Sequence, residues 1–276
     1  MKVVTPEAKW PPSWRRAHYY DRLEVYDLAE DHELGHAYAY RERMKRTVDM
    51  VRRSAPPGAR ILDVAAAQGN FTLTLAELGY EVTWNDLRRE LAEYVQLKHE
   101  HGEVNYLPGE IFTLDASEPF DVVLATEIVE HVAHPDEFIR HLARFVRPDG
   151  YLVMTTPNGA YLRNRLPSFS RCADPTEFER MQFKPDADGH IFLFDTGELS
   201  ALAGNAGLQV AEVCVFANPL TTGWVGTRHA LKGLPRAWVT SLERASGRLP
   251  LAVKQRLMTH VGARFRRAGP GPNPAS

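Results

Sequence analysis

The sequence predicts an α/β fold on a mostly parallel sheet, and three observations carry that prediction. Short apolar runs alternate with stretches of helical spacing from residue 60 to residue 216. The runs are close to continuously apolar, "FDVVLATE" (120–127) most of all, as strands buried on both faces must be. The segments between them are long enough to carry the chain back across a sheet face, which parallel neighbours require.

Taken in order, residues 13–53 read as helices rich in Tyr, Arg and Glu, and "SAPPGAR" (54–60) punctuates them with Pro56, Pro57 and Gly58. "RILDVA" (60–65) is the first strand, followed by a helix over 71–78 that Gly79 stops. "YEVTWND" (80–86) is a strand and 88–99 a helix. "VNYL" (104–107) and "FDVVLATE" (120–127) are strands. A helix over 135–145 follows, with Phe138, Leu142 and Phe145 on one face. "GYLVMTTP" (150–157) is the fifth strand. Residues 157–193 then lose the rhythm, with four prolines and no clean period, as a functional insertion would. A helix over 196–206 and the strand "LQVAEVCVF" (208–216) restore it. The spacing beyond predicts helices over 234–246 and 251–267 and a disordered end at 268–276. The resulting organisation is a helical cover (1–55), a core (56–216), a basic helical extension (217–267) and the tail.

Composition narrows the class. Two cysteines, Cys172 and Cys214, are too few for a disulfide framework or a cysteine zinc site. No apolar stretch reaches membrane-spanning length and residues 1–10 lack a signal-peptide core, so a cytoplasmic protein is expected. The net charge of −2 hides an asymmetry: from Val225 onward there are ten Lys/Arg against one acid, Glu243, leaving that part +9 and the rest −11.

In an open α/β sheet, ligands sit beyond the carboxyl ends of the strands. The residues that follow the strands are Ala65 to Gly69, Asp86, Glu110 with Ile111, Thr126 to His131, and Thr156 to Asn158. "ILDVAAAQGNF" (61–71) is written like a nucleotide-cofactor loop in which two expected glycines are Ala65 and Ala67. Asp86, 23 residues past Asp63, is placed to accept both hydroxyl protons of a ribose; alternatively it caps the helix that begins near Leu87. Asp63 lies inside the turn, where it would hold loop amides and touch a ligand only indirectly. Glu127, Glu130 and His131 stand at i, i+3 and i+4, on one side of a turn or helix start, and could bind a divalent cation through oxygen and nitrogen. A nicotinamide-dependent dehydrogenase would want Gly-x-Gly-x-x-Gly for a pyrophosphate, which Ala65, Ala67 and Gly69 do not supply.

The ordered set "ILDVAAAQGNF…YEVTWND…YLPGE…FDVVLATEIVEHV…RPDGYLVMTTPN…GH" resembles the class I S-adenosylmethionine-dependent methyltransferases over roughly residues 40–215. Within them it is most similar to the O-methyltransferases of ubiquinone biosynthesis and to related small-molecule and sugar methyltransferases. The resemblance implies a Rossmann-like seven-stranded sheet with helices on both faces and S-adenosyl-L-methionine across the first two strand ends. It places Asp86 and Leu87 at the ribose, Glu110 and Ile111 at adenine, and Thr126 and Glu127 near the methionine end. It also implies a helix before the core that covers the cofactor, with Arg43 as the arginine that reaches its carboxylate. For Glu127, Glu130 and His131 it implies a magnesium-type ion. The loop alanines leave two outcomes: φ > 0 at a cost of about 1–2 kcal/mol, or a shifted loop whose methyl groups narrow the cofactor site.

O-methylation of a small molecule such as a phenol, quinone precursor or sugar is the expected reaction. His131 and His190 are the base candidates, whereas His134 and His141 read as surface residues. N- or C-methylation of a metabolite, or a non-catalytic scaffold on the same fold, remains the alternative. The basic extension, with Trp238, Leu242, Leu249, Leu257 and Phe265 among arginines, packs on the acidic body, forms a homodimer contact, or lies peripherally on a membrane. Nucleic acid is not expected as a partner, because no RNA-binding module or aromatic-basic platform is present.

Overall fold

A computed structural model describes residues 1–182, 189–223 and 226–269, without the side chains of Arg228 and His229. In chain order the regular elements are α1 (Pro12–Glu24), α2 (Leu34–Ser54), β1 (Arg60–Val64), α3 (Asn70–Glu77), β2 (Glu81–Asn85), α4 (Leu91–Lys98), β3 (Glu103–Tyr106) and β4 (Phe120–Thr126). They continue with α5 (Pro135–Phe145), β5 (Val146–Pro157), α6 (Thr196–Asn205), β6 (Leu208–Phe216), α7 (Arg228–Leu231), α8 (Arg236–Gly247), α9 (Leu251–Leu257) and β7 (His260–Arg267).

Among the described residues the strands form one seven-stranded sheet in the order β3-β2-β1-β4-β5-β7-β6. The first five are parallel, and β7 runs antiparallel to both β5 and β6. The order turns back between β1 and β4, so their carboxyl ends open the crevice where ligands bind in such sheets. Alternate residues feed opposite layers. Val123 and Ala125 of β4 pack with α5 and α6 through Phe138, Ile139, Leu142 and Leu202. Val122 and Leu124 pack with α2 and α3 through Met50, Val51, Phe71 and Leu75.

Local chemistry agrees with this layering. α5 starts with Pro135 in its first turn and carries Asp136 and Glu137 near its positive end. It buries four large apolar side chains at about 1.5–3 kcal/mol each, well beyond any difference in helix propensity. Asp195 caps α6 by accepting the Glu198 amide at 2.8 Å. Residues 159–182 hold only short 3₁₀ turns, at Phe169–Arg171 and Pro175–Phe178, as an insertion without a clean period should.

One element is corrected. Residues 251–267 do not form a single helix. α9 ends at Leu257, and 260–267 is the strand that joins β5 to β6, so the extension supplies part of the core sheet. Val253, Leu257, Val261 and Phe265 are four apart, which fits a helix, but Val261, Ala263 and Phe265 also alternate, and all three are fully buried. Burial in the sheet centre decided between the two periods. Of the expected disordered tail at 268–276, residues 270–276 lie outside the described residues.

Candidate active site

The loop after β1 takes the strained course. Ala65 has φ 54°, Ala67 φ 47° and Gly69 φ 72°, so three alternate residues are left-handed and two of them carry a Cβ. At Gly69 a Cβ would lie 2.7 and 2.8 Å from the two Val95 methyl groups, so glycine is required there by space as well as by φ. The turn is closed by Gly69 N–H donating to Ala66 O (2.8 Å), and Ala66 N–H donates to Asn85 O at the end of β2 (2.9 Å).

Asp86 is buried and fixed to this loop, its Oδ2 accepting the Ala67 amide at 2.8 Å. Arg88 also lays its guanidinium along the carboxylate, with Nε 2.9 Å from Oδ1 and Nη2 3.0 Å from Oδ2. The Arg88 amide also reaches Oδ1 at 2.9 Å, but α4 begins only at Leu91, with Glu90 at its N-cap, so Asp86 closes a local turn and caps no helix. Asp63 is buried behind the loop. Its Oδ2 accepts the Thr72 hydroxyl of α3 at 2.6 Å, in place of the expected loop amides. Burial pushes the Asp63 carboxyl up to about 7, against the opposing pull of Thr72.

A cavity of about 680 Å³ opens over these strand ends. Of the residues expected to bind cofactor, Ala65, Ala67, Asp86, Leu87, Glu110, Ile111, Thr126, Glu127 and Arg43 line it, as do Glu130, His131 and His190; Asp63 and Gly69 do not line it. The cover closes one side through Ala17, Tyr20 and Glu24 of α1 and Tyr40 of α2. Glu24 takes hydrogen bonds from Gln68 (2.8 Å) and Asn70 (3.2 Å) of the loop. Lys98 of α4, fully buried, donates to Asp21 of α1 (2.7 Å), to the Gln68 carbonyl (2.8 Å) and to Asn70 Oδ1 (2.7 Å). Two acids of α1 thus grip the cofactor loop, a connection the sequence did not reveal.

At the other end the expected triplet separates. Glu127, itself at φ 51°, turns toward Arg43 (3.3 Å) and His260 (3.5 Å). Burial would raise its carboxyl, but the Arg43 guanidinium and the His260 ring more than offset it and hold the group at about 2. Glu130 is fully buried and accepts the Thr156 hydroxyl at 2.9 Å. Burial and the neighbouring Glu127 charge push its carboxyl well above the usual range, and its Oε1 has no hydrogen-bond partner. The residues that come together as a candidate metal set are Glu130, His131 and His190, with one ligand atom of each within 4.8 Å of the others. His190 replaces Glu127 in that set. The His131 and His190 rings meet edge to face at 5.0 Å. His134 and His141 are half-buried rather than superficial: His134 pairs with Glu179 (2.9 Å), and His141 reaches the Ile111 carbonyl (2.9 Å) and packs on Phe112.

His260, Arg88 and Lys98 are the site residues that sequence reading missed. Arg88 follows Asp86 by two residues and could have been found as a fork partner; the contacts of Lys98 and His260 cross 77 and 133 positions and leave no local signal.

A family model described as a methyltransferase domain matches residues 36–213. The ubiquinone biosynthesis O-methyltransferase of Xanthomonas euvesicatoria pv. vesicatoria (strain 85-10) is 33% identical over 161 residues, covering 56% of this chain and 65% of that protein. The protein of the same name from Caulobacter sp. (strain K31) is 32% identical over 177 residues, covering 60% and 66%. The chain thus spans about two thirds of the length of these curated relatives. Among solved structures, magnesium protoporphyrin IX methyltransferase from Synechocystis PCC 6803, with bound SAH, superimposes with a TM-score of 0.54 at 14% identity, over 93% of each chain. An S-adenosylmethionine-dependent methyltransferase from Mesorhizobium loti gives 0.54 at 15% identity, over 79% of this chain and 96% of that one. A match over residues 36–213, on a sheet with this strand order and a cavity at its switch point, means that the chain belongs to the methyltransferase-domain family, the S-adenosylmethionine-dependent methyltransferases.

Proposed function

We propose that the protein transfers a methyl group from S-adenosylmethionine to a hydroxyl oxygen of a small molecule. The observation that supports this most directly is the polarity of the cavity at the strand ends: Asp86, Leu87 and Glu110 at one end, and two imidazoles, His131 and His190, 5.0 Å apart at the other. S-adenosylmethionine supplies a methyl group on a positively charged sulfur, which leaves as a neutral thioether. Asp86 suits the ribose hydroxyls as an acceptor once Arg88 moves its fork aside, and Arg43 suits a carboxylate beside Glu127. The chain's remaining task is to hold an acceptor oxygen in line with the methyl–sulfur bond and to take its proton. Alignment supplies much of the rate, and a positioned imidazole adds about 10²–10⁴-fold. As the oxygen–carbon bond forms and the carbon–sulfur bond breaks, the hydroxyl proton passes to His131 or His190.

A divalent cation held by Glu130, His131 and His190 would polarise a diol acceptor at the same place. The orphaned, buried Oε1 of Glu130 fits such a role. One carboxylate and two imidazoles suit a borderline transition ion better than magnesium, which prefers oxygen ligands.

Calorimetry with S-adenosylmethionine and with its demethylated product tests the cofactor half. Binding of both is expected, and no heat from either at about millimolar concentration overturns the reading. A panel of phenols, catechols and sugars tests the acceptor half, with His131→Ala and His190→Ala assayed singly. Loss of turnover by about 10²-fold or more in one of them identifies the base. Turnover unchanged by EDTA removes the cation.

A further inference from the structure

α8 sits on the molecule the wrong way round for a helix that serves only packing. It buries Val239 and Ser246 and half-buries Glu243, whereas Trp238 is 68% exposed and Leu242, Ala245 and Leu249 continue its stripe into solvent. α9 buries nothing and adds exposed Leu251 and Leu257. Leu162 of the insertion lies beside it, its amide donating to the Arg256 carbonyl at 3.0 Å, and is itself well exposed. The outward-facing charges that α8 and α9 themselves carry have one sign. Lys232 and Arg236 are answered by Asp31 and Asp27, and the β7 arginines by Glu212 and Asp149. Among the described residues no ion pair engages Arg244, Arg248 or Arg256. The single acid of the stretch, Glu243, is turned inward to the Asn218 amide and the Thr221 hydroxyl.

We propose that α8, α9 and the adjoining Leu162 form a docking face for an anionic membrane surface. Exposed Trp and Leu flanked by arginines, with no acid facing out, is the pattern of a helix lying in a lipid interface. A second copy of the chain fits worse: a two-fold contact through this face would set one unanswered arginine patch against another. A nucleic acid has no use for a strip whose centre is apolar. α9 leads into His260, and Leu162 belongs to the insertion that also carries His190, so the face lies at the same end of the sheet as the cavity. The proposal does not depend on the methyl-transfer reading.

Vesicle flotation of the full chain tests it without any substrate. The protein is expected to float with vesicles containing roughly one third phosphatidylglycerol, not with pure phosphatidylcholine, and to be released as salt rises from about 0.1 to about 0.5 M. Trp238→Ser with Leu242→Ser, and separately Arg244→Glu with Arg248→Glu, should each weaken flotation about tenfold or more. Both variants should keep the wild-type melting temperature and calorimetric affinity for S-adenosylmethionine. Three results overturn the proposal: no flotation with anionic vesicles, flotation that survives both variants, or a wild-type dimer by sedimentation that the Trp238/Leu242 variant converts to monomer. Capture of duplex DNA in place of vesicles, lost in the arginine variant, also overturns it and makes the face a phosphate-backbone surface.

Discussion

At Gly69 a left-handed φ and a 2.7 Å approach to a Val95 methyl coincide, so the cost of a side chain there is the sum of two effects. Left-handed backbone costs about 1–2 kcal/mol for a residue with a Cβ, and overpacking a further 1–3 kcal/mol. Gly69→Ala is therefore expected to destabilise by about 2–5 kcal/mol, and adding Val95→Ala should restore only the packing part, as read in paired thermal melts. Ala65 and Ala67 carry the first cost alone, and replacing either by glycine gains little, because glycine's extra freedom in the unfolded chain offsets most of the relief. Behind the loop, burial holds the Asp63 carboxyl up at about 7 in the folded chain, against an ordinary 3.8. The folded state then holds a proton that the unfolded chain releases between about pH 4 and 7. This stability is fully present below about pH 4 and lost as pH rises through about 7, by an amount on the order of 2–4 kcal/mol. Asp63→Asn, which keeps an acceptor for Thr72, should melt closer to wild type at pH 5 and above it at pH 8; a constant gap across that range would show that Asp63 ionises normally.

Among the elements, the short strands and α5 were legible because their apolar periods are unambiguous, and the grip of α1 on the cofactor loop was not. That grip rests on Lys98 and Asp21, both fully buried and 77 positions apart. Burial lowers the lysine and raises the aspartate, and the attraction of each partner for the other opposes that shift. Removing one partner of such a pair costs about 3–5 kcal/mol, because it strands a buried charge. Asp21→Ala should accordingly lower the melting temperature sharply and also weaken S-adenosylmethionine, since Lys98 would no longer be held against Gln68 and Asn70. Asp21→Leu combined with Lys98→Met should regain much of the stability but not the affinity. If the double variant recovers both, α1 serves only as a lid on the core. The loop's own residues were readable as a cofactor turn because they are local; what braces them was not, since it comes from two other helices.

For the whole molecule, the decisive element is the one the sequence described least well. β6 is joined to the sheet only through β7, so the basic extension closes the core as well as presenting its outer face. The same strand begins at His260, which places its Nε2 3.5 Å from Glu127 across the end of the sheet. Truncation after Leu257 should therefore do more than remove a tail. It strips β6 of its ladder and leaves β5 as an open edge, so loss of cooperative unfolding or aggregation is expected. His260→Ala separates the local effect from the global one. The fold should survive, but Glu127 loses one of the two partners that hold its carboxyl near 2, leaving Arg43 alone to offset its burial. Arg43 then pairs more tightly with Glu127 and is less available to an incoming carboxylate. A rise of roughly tenfold in the calorimetric Kd for S-adenosylmethionine, equivalent to 1.4 kcal/mol, follows from losing one charge-assisted contact. Arg266→Ala, on the same strand but paired with Asp149 at the surface, should leave that Kd unchanged. Equal effects from the two substitutions would mean that β7 matters to the site only by holding the sheet together.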